Sequence, residues 1–535
     1  MEGSERRRAV GLAVAVFAVL LPGVFLGVPG KSVAGAWRVL AGEVPYRDFW
    51  SMYAPGQFYA TAVVLAVSGK QVLAPAIVAC AVKAFTVACL YLASLGFGAA
   101  RKLALVMAAT VGVALFEIAP ELSSYPPALA LIAVALLALS KEERRPIRAG
   151  LALGAAAFFK HDVAAYATAA FAVALAVEPW STGDARSRGL RDALKLASSA
   201  ASVVAVLAGG LALLAGRDAL VDLVLFPLGD FRTVRSEAYP GLSPNLPLVT
   251  KFLEEPANLA RGRDAAEALS EWMLGNAPQL VFVALGLVFL RFRTRFERRT
   301  RFGLLVVLAA MPFFWWAAHT QQNTHFTSLG ILSLLGITLV LPRLETRAAR
   351  ATFVALALFH SAALFTRPAL DLALPLRAWS RIDPLGLPHT AGIHVSPRER
   401  EVYAAIRAFT DARVAPDEPI YLGVARHDAI VINNPRFLWL LDRPCATRYH
   451  ELHPGITDRE DVQREMLADL ERLRVRCAVI WRFGWPTSML DRIAAERRAA
   501  IPQCGSTLLD EFLTREFRPV LEVGEYVVLW RDLER

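Results

Sequence analysis

Apolar blocks recur along this chain at lengths that suit a hydrocarbon core, and nothing else in the sequence limits the fold as much. They fall roughly at 9–29, 72–97, 103–118, 126–139, 149–159, 162–177, 193–215, 275–290, 302–318, 327–341 and 351–366. A spanning helix takes about 20 such residues, so the shorter blocks cross only with help from their neighbours. Within lipid every backbone N–H and C=O must be satisfied inside the chain, which selects helices. The expected fold class is an α-helical polytopic membrane protein, with about 11 transmembrane or membrane-embedded helices. The first block, Ala9–Val28, follows MEGSERRR and imitates a signal peptide. Its length and the lack of a small-residue cleavage site favour an uncleaved first helix.

Charge orients the blocks. The formal net charge is +10 and the pI is near 9.5, values that suggest nucleic acid at first sight. The arginines, however, sit mostly in short loops beside apolar segments, where membrane orientation explains them and no nucleic-acid partner is needed. With the N-terminus in the cytoplasm, the inner segments are Met1–Arg8, Arg101–Lys102, Lys141–Arg148, Arg186–Lys195, Arg291–Arg301 and Pro342–Arg350, each holding several Lys or Arg. The opposite short loops hold only Lys31, Arg38 and Arg47. This assignment requires 149–177 to be a hairpin turning near Lys160–Asp162. It places Gly42–Gln57, the Lys160 turn, the long loop Arg217–Glu271 and everything after Thr366 on the outer side. The front of the long loop, ALVDLVLFPL, reads as an interfacial amphipathic helix.

Two domains are expected. Residues 1–366 form the transmembrane domain, with outer loops 30–56 and 217–271, and residues 367–535 form a small extracytoplasmic α/β domain. In the tail, Ser396-Pro-Arg-Glu399 is a capping box with Pro at the first helical position, and Thr457-Asp-Arg-Glu460 is expected to cap VQREMLADLERL in the same way. Strand-like runs lie at Ile420–Val424, Ala478–Trp481 and Tyr526–Trp530. Five cysteines (Cys80, Cys89, Cys445, Cys477, Cys504) have neither metal-ligand spacing nor a disulfide framework. No Gly-rich phosphate loop, HExxH run or nucleophile elbow occurs, so ATP-driven transport and common hydrolase chemistries lose support.

The loop Gly42–Gln57, GEVPYRDFWSMYAPGQ, packs carboxylates, rings and prolines between apolar segments. Asp48 is the expected general base, able to take a proton from an acceptor hydroxyl or amine; alternatively it is a solvated acid capping Tyr46–Arg47. Glu43, Glu117 and Glu121 are the reserves, Glu43 being the second catalytic candidate. Lys160 and His161 are candidates for neutralising a lipid phosphate, because ionisable residues flanked by apolar helices are costly unless paired or functional; alternatively they cap a turn that reaches water. Arg232 and Arg235 could grip a phosphate through charge-assisted bonds. Tyr46, Asp162, Gln322 and His325 are candidate substrate contacts, although a polar turn beside the aromatic belt at Trp315-Trp316 accounts for the last two as well.

The arrangement resembles the glycosyltransferase C superfamily, the polytopic enzymes that include protein O-mannosyltransferases and aminoarabinose transferases. The matching residues are Gly42, Pro45, Tyr46, Asp48, Phe49, Pro55 and Gly56, continuing into QFYATAVVLAVSGK. GLALGAAAFFKHD (Gly150–Asp162) is similar to a Gly-rich helix of that group that ends in Lys and a polar residue. LLDRPCATRYHELHPGITDREDVQREMLADLE looks like the terminal domain of many bacterial members. One departure stands out: many members carry an acid directly after the first helix, where this chain has GVPGKS (Gly27–Ser32).

The resemblance implies a glycosyltransferase that takes a sugar from a polyprenyl-phosphate donor on the outer face of a bacterial cytoplasmic membrane. The acceptor would be a glycan, lipid or protein, and inversion is expected at the anomeric carbon. No cofactor is indicated, and a divalent metal is not required by the sequence. The alternatives are a non-enzymatic flippase or transporter of a lipid-linked or polar solute, which predicts repeated halves and ionisable residues at mid-depth, and a scaffold whose tail binds a partner.

Overall fold

The computed structural model describes residues 2–117, 121–182, 186–217, 219–223, 259–320, 324–378, 382–428, 433–453, 456–482 and 505–533. In chain order the helices are α1 (Glu2–Val24), α2 (Lys31–Leu40), α3 (Gly56–Val67), α4 (Leu73–Gly96), α5 (Arg101–Ala114), α6 (Tyr125–Leu139), α7 (Pro146–Ala157), α8 (His161–Thr182) and α9 (Arg186–Ala215). There follow α10 (Leu259–Phe292), α11 (Arg298–Thr320), α12 (Thr324–Val340), α13 (Arg347–Ala378), α14 (Pro397–Arg413), α15 (Phe437–Leu441), α16 (Glu460–Arg472) and α17 (Leu508–Glu516). The strands are β1 (Asp383–Pro384), β2 (His394–Val395), β3 (Ile420–Val424), β4 (Cys477–Trp481), β5 (Arg518–Val523) and β6 (Tyr526–Trp530).

Each apolar block falls largely in a helix, but among the described residues only 7 stretches are long and apolar enough to cross a membrane alone. These lie in α1, α4, α8, α9, α10, α11 and α13; α5, α6, α7 and α12 are shorter. The chain is a multi-pass membrane protein of mainly helical class. The chain divides into two compact units. The first comprises Met1–Gly23, Val78–Leu207 and Tyr239–Arg377; the second comprises Val24–Ile77, Ala208–Ala238 and Ala378–Arg535.

In the first unit α6 packs on α7, and α11 packs on α8 and α12. Small residues let some of these helices approach closely, as expected where lipid supplies little hydrophobic drive for association. Gly150 and Gly154, one turn apart on α7, face α9 so tightly that a Cβ at either would fall 2.3 Å from Leu196 O or 2.6 Å from Ala200 O. The Gly-rich stretch ahead of Lys160 is therefore a packing surface. The break expected near Lys160 is present, since α7 ends at Ala157 and α8 starts at His161.

In the second unit the sheet order is β3-β4-β6-β5, with β3 and β4 parallel and the other pairs antiparallel. β3 is an edge strand, yet every residue of it is buried, because the chain at Pro444–Ala446 bonds Ile420 along its outer side and so covers the exposed edge. Gly524 turns β5 into β6 at φ +55 and lies so close to Val402 that a side chain has no room there. The capping box at Ser396 forms as expected, its hydroxyl accepting from Glu399 N and Glu399 reaching back to Ser396 N. The matching expectation at Thr457 fails. Helix α16 begins at Glu460 behind Arg459 with no side-chain cap; Thr457 belongs instead to the preceding turn, where its N–H and its hydroxyl both donate to His453 O at 3.0 Å.

The stretch 30–56 contains a helix. In α2, Ser32 to Arg38 are all buried, and Val33, Ala34, Ala36 and Trp37 share one apolar core with β3, β4 and α15. Trp37 Nε1 donates to Asp442 at 2.8 Å and Trp439 Nε1 to Pro29 O at 3.2 Å. The first loop and the tail thus bury each other's apolar faces. Only residues 219–223 of the expected interfacial helix are described, and they are helical.

Candidate active site

The loop after α2 is built by local rules. Gly42 leaves the helix at φ +91, a conformation that glycine adopts without a Cβ clash. Val44–Asp48 closes a turn in which Asp48 N donates to Val44 O at 2.9 Å and Val44 N to Asp48 Oδ2 at 2.7 Å. Tyr46 sits at φ 69, which is strained for a residue with a bulky side chain. Its surroundings hold it there: N–H to Phe49 O at 2.6 Å, hydroxyl to Tyr53 O at 2.5 Å, and Arg448 Nη2 to its carbonyl at 3.0 Å. Burial, helped by Asp222 and Tyr59, raises the Tyr46 phenol well above its ordinary range.

Arg38 joins the parts. It is 6% exposed and donates to Glu43 Oε2 at 2.6 Å, Asp48 O at 3.0 Å and Thr447 O at 3.1 Å. Its guanidinium also stacks 5.0 Å from the Phe49 ring. One buried cation therefore fixes the Glu43 carboxylate, the main-chain carbonyl of Asp48 and a carbonyl of the tail. The two acids end in different states. Hydrogen bonds from Arg47, opposed by partial burial and aided by Val44 N–H, hold Asp48 below the usual carboxylate range. Both of its oxygens are occupied, Oδ1 by Arg47 Nε at 2.9 Å and Oδ2 by Val44 N and Arg47 Nη2. Burial raises Glu43 above its ordinary value in spite of Arg38.

Behind the loop is a buried polar cluster. Glu451, 1% exposed, pairs with Lys31 at the start of α2 and with His453 Nε2 at 2.9 Å. Burial alone would raise Glu451, but Lys31 and His453 together bring it below the usual range. Burial also pushes His450 down to about 3, with Arg38 nearby adding to the effect. Neither ring nitrogen of His450 has a hydrogen-bond partner among the described residues, and the ring packs edge-on to Phe49 at 5.2 Å.

In the first unit, Lys160, His161 and Asp162 come together at the α7–α8 turn. Lys160 Nζ lies 3.2 Å from Asp162 Oδ2 and 5.5 Å from the centre of the Tyr125 ring. Arg232, Arg235 and Gln322 lie outside the described residues, as do the side chains of His325 and Glu117. Glu121 is described, in a bend ahead of α6.

Sequence reasoning missed Arg38, Lys31, His450 and Glu451. Lys31 and Arg38 read as sparse outer-loop charges, and the run RYHELH read only as part of a tail motif. The available signal was compositional: His450, Glu451 and His453 crowd into four positions between apolar runs. Among the described residues no group of three His, Cys, Asp or Glu is placed to hold a metal ion.

No protein-family profile matches the chain, and no curated protein matches it significantly. Among solved structures it is similar to ArnT from Cupriavidus metallidurans bound to undecaprenyl phosphate, at 13% identity and a TM-score of 0.48 over 97% of each chain. It is also similar to the arabinofuranosyltransferase AftD from Mycobacteria, at 14% identity and a TM-score of 0.48, over 98% of this chain and 40% of that one. Both proteins belong to the superfamily that the first loop resembles.

Proposed function

We propose that this protein is a membrane glycosyltransferase that moves a sugar from a polyprenyl-phosphate donor to an acceptor glycan, lipid or protein at the outer face of a bacterial cytoplasmic membrane. The observation that supports it most is the loop in which one buried arginine, Arg38, holds the Glu43 carboxylate and the main-chain carbonyl of Asp48, so that both acids are set in one fixed turn. A carboxylate takes the acceptor proton, the acceptor oxygen or nitrogen attacks the anomeric carbon, and the bond to the lipid phosphate breaks with inversion. Lys160 and His161 stabilise the departing phosphate, an electrostatic role suited to groups fixed before the reaction. Tyr46, Asp162, Gln322 and His325 are the proposed substrate contacts, and Arg232 and Arg235 the further phosphate contacts.

Of the two loop acids, Glu43 is the better base. Its raised pKa strengthens it as a proton acceptor near neutral pH, whereas Asp48 spends both oxygens on its own turn. The test incubates purified protein with radiolabelled polyprenyl-phosphate sugars and a panel of acceptors. Glu43→Gln should lower acceptor-dependent turnover by about 10²–10⁴-fold, with Asp48→Asn affected much less. The reverse order returns the role to Asp48, and full activity in both variants removes the loop from the chemistry.

A second reading, transport, is favoured by one observation. Lys83 in α4 and His360 in α13 are 3% and 0% exposed within apolar helices, and neither ring nitrogen of His360 has a hydrogen-bond partner among the described residues. Buried ionisable groups at membrane depth often mark a pathway. Flux of a labelled lipid-linked sugar across proteoliposomes without sugar transfer, abolished by His360→Phe, would select this reading.

A further inference from the structure

We infer that the first unit carries an anionic-headgroup site at the arginine-rich end of its helices, taking the phosphate of an acidic phospholipid. A cavity of about 450 Å³ lies there, within the range of small-ligand sites. Its cations are Lys141, Arg144, Arg188, Arg298 and Arg299. They come from the end of α6 and its following loop, the start of α9 and the start of α11, so several apolar helices end around one concavity. Ends of membrane-spanning helices meet the headgroup region, and basic pockets between membrane helices bind lipid headgroups. The excess of Lys and Arg at this end assigns it to the cytoplasmic leaflet.

The pocket has a prearranged inner wall and an uncommitted rim. On the wall, Glu178 is 3% exposed and accepts from Arg144 Nη2 at 2.5 Å and Arg298 Nε at 3.3 Å. Arg144 also stacks 3.7 Å from the centre of the Phe302 ring. This triad fixes the wall without needing a ligand. At the rim, Lys141 and Arg188 have no acidic partner among the described residues. Two acids of the pocket are already engaged, Asp192 with Lys195 at 3.4 Å and Glu297 with Arg299 at 3.8 Å. Glu142 remains as the one acid there whose charge opposes an anion without a partner of its own among the described residues.

The lipid source, rather than a soluble phosphate, follows from α9. The helix that points Arg188 and Asp192 into the pocket also exposes Leu190 (56%) and Leu194 (60%), one turn apart. Apolar surface of that size beside a cationic pocket suits a molecule with a phosphate and an acyl chain. Both halves of a phospholipid then find a partner, one by charge and one by burial.

The experiment uses the full chain purified in neutral detergent, with phosphatidylglycerol or phosphatidylcholine added, and reads retained lipid by native mass spectrometry. Wild type should retain phosphatidylglycerol in preference to phosphatidylcholine. Lys141→Gln/Arg188→Gln should retain it about tenfold less, since two charge-assisted contacts are lost. Glu142→Gln should retain more than wild type. Lys102→Gln/Arg347→Gln removes equal charge from the same end outside the pocket and should leave retention unchanged. The melting midpoint of each variant without added lipid checks that the fold survives. Retention indifferent to headgroup charge, or lowered equally by both double variants, overturns the site. Inorganic pyrophosphate is the soluble arm: a melting midpoint raised by it and not by phosphatidylglycerol overturns the lipid source.

Discussion

The first loop of the second unit and the α7–α8 turn of the first unit hold charged residues of similar kind, yet they hold them differently. In the loop, the Glu43 carboxylate and the main chain at Asp48 depend on Arg38, whose other hydrogen bond reaches Thr447, 409 residues away along the chain. In the turn, Lys160 pairs with Asp162, two residues away. A long-range anchor exists only when the unit is folded, so the loop's geometry is a property of the whole unit. A local pair needs only the turn. The contrast explains how a loop with a left-handed Tyr46 is kept in place: the remote contacts offset the local strain.

The comparison breaks most readily at Arg38. Arg38→Met leaves Glu43 half-buried without its cation and takes a donor from Thr447 O, so unfolding of the second unit should cost about 3 kcal/mol less, the range for breaking a buried pair. Chemical denaturation followed by tryptophan fluorescence measures it. A loss comparable to that from Lys160→Met would mean that the long-range anchor adds nothing.

Acid should distinguish the two regions next. His450 takes up its proton near 6.5 when unfolded but only at about 3 when folded. The folded state is therefore favoured above 6.5, and that advantage shrinks as pH falls from 6.5 towards 3. Glu451, held below its ordinary 4.5, adds a loss of the same sign once the pH drops under that value. Melting of the second unit should thus fall with acidification from about pH 6.5, and His450→Phe should remove the upper part of the slope. An unchanged slope in that variant would assign it to other groups.

Smaller effects sharpen the contrast. A double-mutant cycle with Lys160→Met and Asp162→Asn should give a coupling of about 1 kcal/mol, as for a partly buried pair with one hydrogen bond. Asp48→Asn should change stability by less than about 1 kcal/mol, because the exposed partner Arg47 contributes little and an amide oxygen still accepts from Val44 N. A larger loss from Asp48→Asn would make this acid, and not Arg38, the centre of the loop.

Helix positions were legible in the sequence because an apolar run in lipid has one way to satisfy its backbone, and each run fell largely in a helix. The capping box at Ser396 was legible for a similar reason: its donors and acceptors lie within three residues. Thr457 was not, although its pattern is the same, because a turn closed on His453 O holds its backbone two residues ahead of the capping position at Arg459. Lys31, Arg38, His450 and Glu451 were illegible for the converse reason, since their partners are hundreds of residues apart and no periodicity marks them.

By itself, then, the sequence determined the membrane class, the helical blocks and the loop that carries the acids, all of which follow from composition and short-range bonding. Only the tertiary structure decided that α2 belongs to the core of the tail's unit, that Arg38 holds the loop, and that Glu43 rather than Asp48 is left with the higher proton affinity. Burial and long-range charge set those outcomes, and both depend on which distant segments meet.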